Sequence, residues 1–452
     1  MKRTGRAVVY LVILMAVFLF ATSLKSTAHG EMEIVVGRVQ ERKLAAVIEQ
    51  LALEYRKTHP EIRIRILPDS DRQEDHYLDL DEYLEKFKDV PDIIGIVYQV
   101  EKRLEELPYL VNQGYLLPVE EWPGWDEYDK SDFFESLGPP IEYKGKHWGI
   151  PIYAEQAGVG YSFEAFKRAG IKELPVSLDE FVQVWRKTTC DLDGDGDTDQ
   201  YGLALPDVVA VDFWLICVRR MGASLYRHGR FDLSDEKLRT AFRMIRRLKD
   251  EGVTCEWGEF LAAGAPSQSD RFAANQYVQT WQFSHYESYI PPGYVKPITA
   301  KVGVLPFPSF ESDEMPVIEN VYLGIRRNPK ATVEACFDFI KLVASRNTQM
   351  NFVQKYDWLP IQQSVYESEE FQRKVEGKPW LKVFTDNLRC CRPIVQRPGA
   401  TEAFLALRKY FTLAYQGRMT IEEALSEAES KMNEILDNSD ETSLTSFGHA
   451  PF

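Results

Sequence analysis

Cysteine is scarce in this chain and appears late. Six of the 452 residues are Cys, and none precedes Cys190. Cys190, Cys217, Cys255, Cys336, Cys390 and Cys391 match neither a zinc-ligand spacing nor a compact disulfide framework. With no thiol near the N-terminus, a lipid-anchored export signal is excluded. Histidine is nearly as sparse, seven residues in all, and they are scattered without a Ser–His–Asp signature. A basic excess is missing too. The net charge of −15 argues against nucleic acid or an anionic membrane as partner, because both are held by clustered Lys and Arg. There is no internal repeat and no low-complexity linker, so the domains this length requires are joined by structured crossings rather than strung as beads.

What is present begins with the N-terminus. Lys2, Arg3 and Arg6 precede an apolar run from Ala7 to Phe20, and small polar residues lead to Ala28. Residues 1–28 therefore read as an export signal cleaved after Ala28 or as a retained N-terminal anchor, and either places the remainder outside the cytoplasm. Glu33–Gly37 reads as a buried strand, and Leu44, Val47, Ile48, Leu51 and Tyr55 repeat at helical spacing until Pro60. Ile62, Ile64 and Ile66 alternate with Arg63 and Arg65 as in a strand, and Ile93–Val97 is a further apolar run. Strand, helix, strand, strand begins an α/β unit. Ser177 with Glu180, and Thr420 with Glu423, are capping boxes that open helices. The last of these helices turns Ala424, Ala428, Met432 and Ile435 inward. Aromatic residues make up 12% of the chain, enough to furnish both cores and a binding groove.

The sharpest chemistry lies between Asp191 and Gln200. Asp191, Asp193, Asp195, Asp197 and Asp199 occupy alternating positions, and such a row of carboxylates calls for a neutralising cation. Calcium takes six to eight oxygens, and a helix–loop calcium site draws them from positions one, three, five, seven (a backbone carbonyl) and nine, with glycine at six. Gly196 stands at six. Position twelve is Gly202 instead of a bidentate Glu, and Gln200 is the expected substitute oxygen. A structural Ca2+ site within loop 191–202 is the expectation.

Several segments, in order, carry a resemblance. They are Pro91-Asp92-Ile93-Ile94 with Leu110–Pro118; Trp148–Glu155 running into Tyr161–Gly170 and Leu178–Phe181; Val302–Pro306 with Leu323-Gly-Ile325 and Ala335–Leu342; and Trp358-Leu-Pro360. Together the chain resembles the extracellular solute-binding proteins of bacterial ABC sugar importers, the maltose-binding-protein group. The resemblance implies an α/β fold of the two-lobed periplasmic-binding type, with lobes that close about a hinge. It divides the chain into a first lobe of 29–154 and 301–348, a second lobe of 155–300 and 349–437, and a polar tail of 438–452. It implies a monomer and a non-enzymatic receptor, which captures an oligosaccharide or other sugar and hands it to the permease subunits of an importer. Some relatives carry a calcium loop in the second lobe, with an acidic residue where this chain has Gln200.

The site residues follow from matched positions. Glu155 matches a sugar-contacting Glu at the first crossing, and Trp281 a stacking Trp ahead of the second. Phe404 stands where the family has another stacking aromatic, with Phe213 and Trp214 near a further one. Tyr98 and Gln99 follow the third strand, near positions that are charged in maltose-binding protein. Arg38 ends the first strand, within reach of a hydroxyl or a carboxylate, and Tyr153, Trp148, Tyr322 and Trp358 are of second rank. Two other readings stand beside this one: a secreted carbohydrate-active enzyme, which needs two carboxylates at a defined separation, and a receptor of the same fold for a non-sugar ligand.

Overall fold

The structure is a computed structural model. It describes residues 31–39, 42–67, 70–71, 76–77, 80–87, 91–100, 103–205, 207–254, 277–283 and 302–439. The N-terminal segment 1–28, Lys301, Cys255 and the tail beyond residue 439 lie outside the described residues. No described helix is long and apolar enough to cross a membrane.

Two sheets organise the chain. In the first, β1 (Met32–Gly37) lies between β2 (Ile62–Ile66) and β3 (Ile93–Gln99), parallel to both. Later strands complete it. The short β4 (Leu116–Leu117) and β5 (Ile150–Glu155) lie on one edge of β11 (Glu319–Arg326), which runs antiparallel between them and β3. The second sheet has the order β7 (Tyr201–Ala204), β8 (Tyr277–Phe283), β6 (Ala157–Ser162), β9 (Val302–Leu305).

Each sheet face acquires its own core. One face of the first sheet packs Leu44, Val47 and Ile48 of the helix Arg42–Thr58 against Phe337, Phe339 and Ile340 of the helix Val333–Val343. The other face buries Ile94, Ile96, Leu107, Leu110 and Tyr322. Asp92 explains why a carboxylate precedes β3. It is fully buried, and it accepts from the backbone N–H of Val35 at 2.9 Å and from that of Lys330 at 2.5 Å, tying β1 to the turn after β11. The second lobe gathers around the second sheet and the helices Leu178–Thr188, Asp207–Arg220, Glu236–Asp250, Ala400–Tyr415 and Ile421–Asn438. Both capping boxes form. Ala424, Ala428 and Met432 are fully buried, as the helical spacing predicts.

Two crossings differ from the expected boundaries. The chain passes between sheets first at Gln156, where β5 ends and β6 begins. The second passage is not at residue 301. β9 pairs with β6 over Val159–Leu305 through Ser162–Val302, so it belongs to the second sheet, and the chain returns to the first only between β10 (Met315–Pro316) and β11. The apolar run Val302–Leu305 reads the same in either sheet, which is why sequence misplaced it. The final return begins near Gln349. The helix Arg346–Tyr356 spans both cores, with Phe352 packing in the first lobe and Val353 in the second, and Leu359 and Ile361 after Trp358 complete the passage.

Candidate functional site

The hinge collects polar side chains from strands far apart in sequence. Glu155 at the end of β5 lies in register with Glu319 at the start of β11, and Glu319 is also in register with Gln99 at the end of β3. Residues in register on neighbouring strands project from the same sheet face. Glu155, Glu319 and Gln99 therefore share a face, directly beside the first crossing. Gln99 Nε2 donates to Glu319 Oε2 at 2.9 Å, and the Tyr153 hydroxyl donates to the Glu155 carboxylate. The Tyr153 ring stands edge-on to Trp358, centroids 5.0 Å apart. Sequence reasoning placed Glu155, Gln99 and Tyr153 here but missed Glu319. The signal that would have found it is the strand period, carried back from Leu323-Gly-Ile325 to where β11 begins.

Arg38 does not reach this face. It is fully buried, and its guanidinium makes a two-point ion pair with Glu106, one contact of which is Nη1 to Oε2 at 2.7 Å. Glu106 also accepts from the backbone N–H of Val97 at 3.3 Å. Arg38 thus ties β1 to β3, with its charge already matched by Glu106. Tyr98 is likewise misassigned. It projects from the face opposite Glu155, in register with Asn320, and its hydroxyl bonds to the second-lobe backbone at Ile394 and Val395. Burial pushes that hydroxyl well above its ordinary pKa, so it stays protonated.

The expected stacking aromatics of the second lobe are core residues. Phe213, Trp214 and Phe404 are 1%, 0% and 2% exposed. Trp214 packs on Phe411 and donates its indole N–H to the Leu238 carbonyl at 2.9 Å, and Phe404 packs edge-on against Phe231. Helical spacing alone does not separate a buried stripe from a groove-lining one, so matched position misled here. Trp281 sits in β8 opposite Val159, and its side chain lies outside the described residues. Trp148 donates to the Tyr143 carbonyl and Tyr322 to the Leu137 carbonyl, and both belong to the first lobe's second core. The described cysteines are free thiols, and burial pushes Cys391 up to about 12.

The acidic loop is a separate place. Carboxylate oxygens of Asp191, Asp193 and Asp195 lie within 4.8 Å of one another, all exposed. The loop folds on its own backbone. Asp191 accepts from the N–H groups of Gly194 at 2.6 Å and Gly196 at 2.8 Å, and Asp199 accepts from that of Leu192 at 2.6 Å. Those bonds hold the Asp191 carboxyl below its ordinary pKa. Gly196 takes φ +99°, the turn its position demands. Asp197 contributes its N–H to Asp195 at 2.8 Å. Gln200 does not join the cluster. It is 2% exposed, with its amide nitrogen on the Thr188 carbonyl and its amide oxygen accepting from Arg168. Gly202 shows why position twelve carries no Glu, since a Cβ there would lie 2.0 Å from the Trp185 carbonyl oxygen.

The family model for bacterial extracellular solute-binding protein matches residues 88–379, well over half of the chain. This chain belongs to that family. Membership implies an exported, solute-binding protein. Among solved structures, the sugar-binding protein MalE of Xanthomonas citri superimposes with a TM-score of 0.72 at 14% identity, covering 90% of this chain and 98% of that one. The cyclic alpha-maltosyl-1,6-maltose binding protein of Arthrobacter globiformis gives 0.72 at 18% identity, covering 91% and 100%. UgpB of Mycobacterium tuberculosis, solved in complex with glycerophosphocholine, gives 0.69 at 17% identity, covering 90% and 99%. These likenesses establish the two-lobed α/β fold.

Proposed function

We propose that this protein captures a carbohydrate between its lobes and delivers it to an ABC importer, acting as a receptor and not as an enzyme. The observation that carries the reading is the hydrogen-bonding face of Glu155, Glu319 and Gln99 at the crossing strands. A sugar presents many hydroxyls, and carboxylates and a planar amide accept from and donate to them in fixed directions. MalE of Xanthomonas citri and the Arthrobacter globiformis protein are both sugar binders by name, which supports the same ligand class here. Closure over the ligand draws on the closed form's higher affinity for it.

The test is calorimetric titration of the protein with maltose, maltotetraose and a cyclic maltosyl-maltose, with glycerophosphocholine alongside. Binding of a saccharide supports the reading. Binding of glycerophosphocholine alone, with no saccharide bound, overturns it in favour of the non-sugar receptor that the likeness to UgpB suggests.

The loop is proposed as a structural calcium site. Asp191, Asp193 and Asp195 would supply carboxylate oxygens and Asp197 its carbonyl, with Asp199 closing the ring of backbone bonds. Calcium there would neutralise the crowded carboxylates and brace the segment between the helix Leu178–Thr188 and β7. The apolar run Ala7–Phe20 is proposed as an export signal cleaved after Ala28 or, if retained, as a tether to the membrane.

A further inference from the structure

We propose that the ligand carries a protonated primary amine, held by the opposed carboxylates of Glu155 and Glu319, so that the protein selects an amino sugar over its uncharged counterpart. The inference rests on the reading above in one respect, that a carbohydrate sits on the Glu155 face, and it narrows the class of carbohydrate.

The strands force the two carboxylates together. Glu155 and Glu319 are direct partners across the antiparallel pair of β5 and β11, and Gln99 of β3 is the partner of Glu319 on its other side. Directly opposed residues carry their Cβ atoms roughly 4.5–5.5 Å apart on one sheet face, and like charges in that position repel. Burial strengthens the repulsion, because Glu155 is 6% exposed and charges withdrawn from water are poorly screened. The Gln99 amide and the Tyr153 hydroxyl, which donate to Glu319 and Glu155, are neutral groups. They aim the carboxylates without cancelling charge. The arginines described at the neighbouring strand ends meet a different acid. Arg38 pairs with Glu106, and Arg103 Nε lies 3.7 Å from the same carboxylate.

An arrangement that strand pairing disfavours is kept where function uses it, and the chemistry of the pair says what would relieve it. A sugar hydroxyl has one O–H to donate and no charge. A primary ammonium has three N–H donors, so it can reach both carboxylates at once, and its charge offsets theirs. A quaternary ammonium brings the charge but no N–H, and is held by aromatic faces instead of acceptors. The Glu155 face offers acceptors, which favours the primary amine. The whole molecule works in the same direction, since a net charge of −15 raises the local concentration of cationic ligands.

The test is calorimetric titration with a glucosamine trisaccharide and with the same trisaccharide N-acetylated, which keeps the sugar skeleton and loses the charge. The amine form is expected to bind about tenfold tighter or more, the scale of a charge-assisted hydrogen bond. Glu319→Gln keeps the shape of the side chain and removes one charge, and the ratio between the two forms is expected to fall toward one. Equal or weaker binding of the amine form to the wild type overturns the inference. So does a ratio that Glu319→Gln leaves unchanged at an unaltered melting temperature, because the preference would then owe nothing to the pair. Should the amine preference fail while maltotetraose or the acetylated trisaccharide binds, the carbohydrate reading stands without it. If no saccharide binds, both fall.

Discussion

The hinge and the acidic loop are both built around carboxylates, yet they are opposite kinds of structure. In the loop, Asp191 to Asp199 are exposed, and their partners lie within seven residues along the chain. At the hinge, Arg38 pairs with Glu106, Glu319 meets Gln99, and Tyr98 meets Val395, across separations of 68, 220 and 297 residues. A local cluster in water tolerates loss of a member. A buried network assembled from distant strands does not, because each removal leaves a desolvated partner behind.

The largest effect is expected where that contrast is strongest. Glu106→Ala removes the carboxylate that the buried Arg38 guanidinium grips at two points, and chemical denaturation should show a loss of about 3–5 kcal/mol. A loss under about 1 kcal/mol would mean that the pair behaves like a surface one. Next comes Glu155→Ala, expected to weaken saccharide binding by at least about tenfold, roughly 1.4 kcal/mol, while the protein stays folded. Retained affinity would move the ligand off this face. In the loop, Asp193→Ala should abolish the rise in melting temperature that calcium gives the wild type, whereas Gln200→Ala should leave that rise in place. Loss of the response in Gln200→Ala would restore it to the ligand set.

Acid sharpens the comparison further. The Asp191 carboxyl is held down by the Gly194 and Gly196 N–H groups, so its contribution is complete above the ordinary carboxylate pKa. That contribution is lost only as pH falls through the lowered value. Thermal shift without calcium should therefore show the stability that Asp191 lends the loop persisting to the lower end of the carboxylate range and then vanishing. The smallest change expected is Arg230→Ala. Its pair with Asp437 is exposed on both sides, and removal should leave the denaturation midpoint nearly unchanged.

The same contrast explains what could be read in advance. The clustering of carboxylates in the loop was legible because alternating spacing is a property of consecutive residues, and even its missing twelfth carboxylate showed. Only the reason lay elsewhere, in the backbone of Trp185 pressing on Gly202. Helices with capping boxes and apolar stripes were equally plain, since caps and stripes are local. Hinge chemistry was legible by half. Glu155 and Gln99 sit where matched strands end, but Tyr98 and Gln99 are neighbours facing opposite ways, and only the register with Asn320 and Glu319 tells which way each points. Phe213, Trp214 and Phe404 failed for a related reason, because helical period marks an apolar face and not what covers it. The boundary at 301 failed because strand character carries no address for its sheet.

One strand has a consequence for how the protein comes into being. β11 is the middle of the first sheet, bonded to β3 on one side and to β4 and β5 on the other, yet it lies at Glu319–Arg326. Until that octet has been synthesised, the N-terminal half has an open slot down its centre and no way to seal it. Pairings of such long sequence separation form slowly. A keystone delivered so late keeps the first sheet open until most of the chain exists.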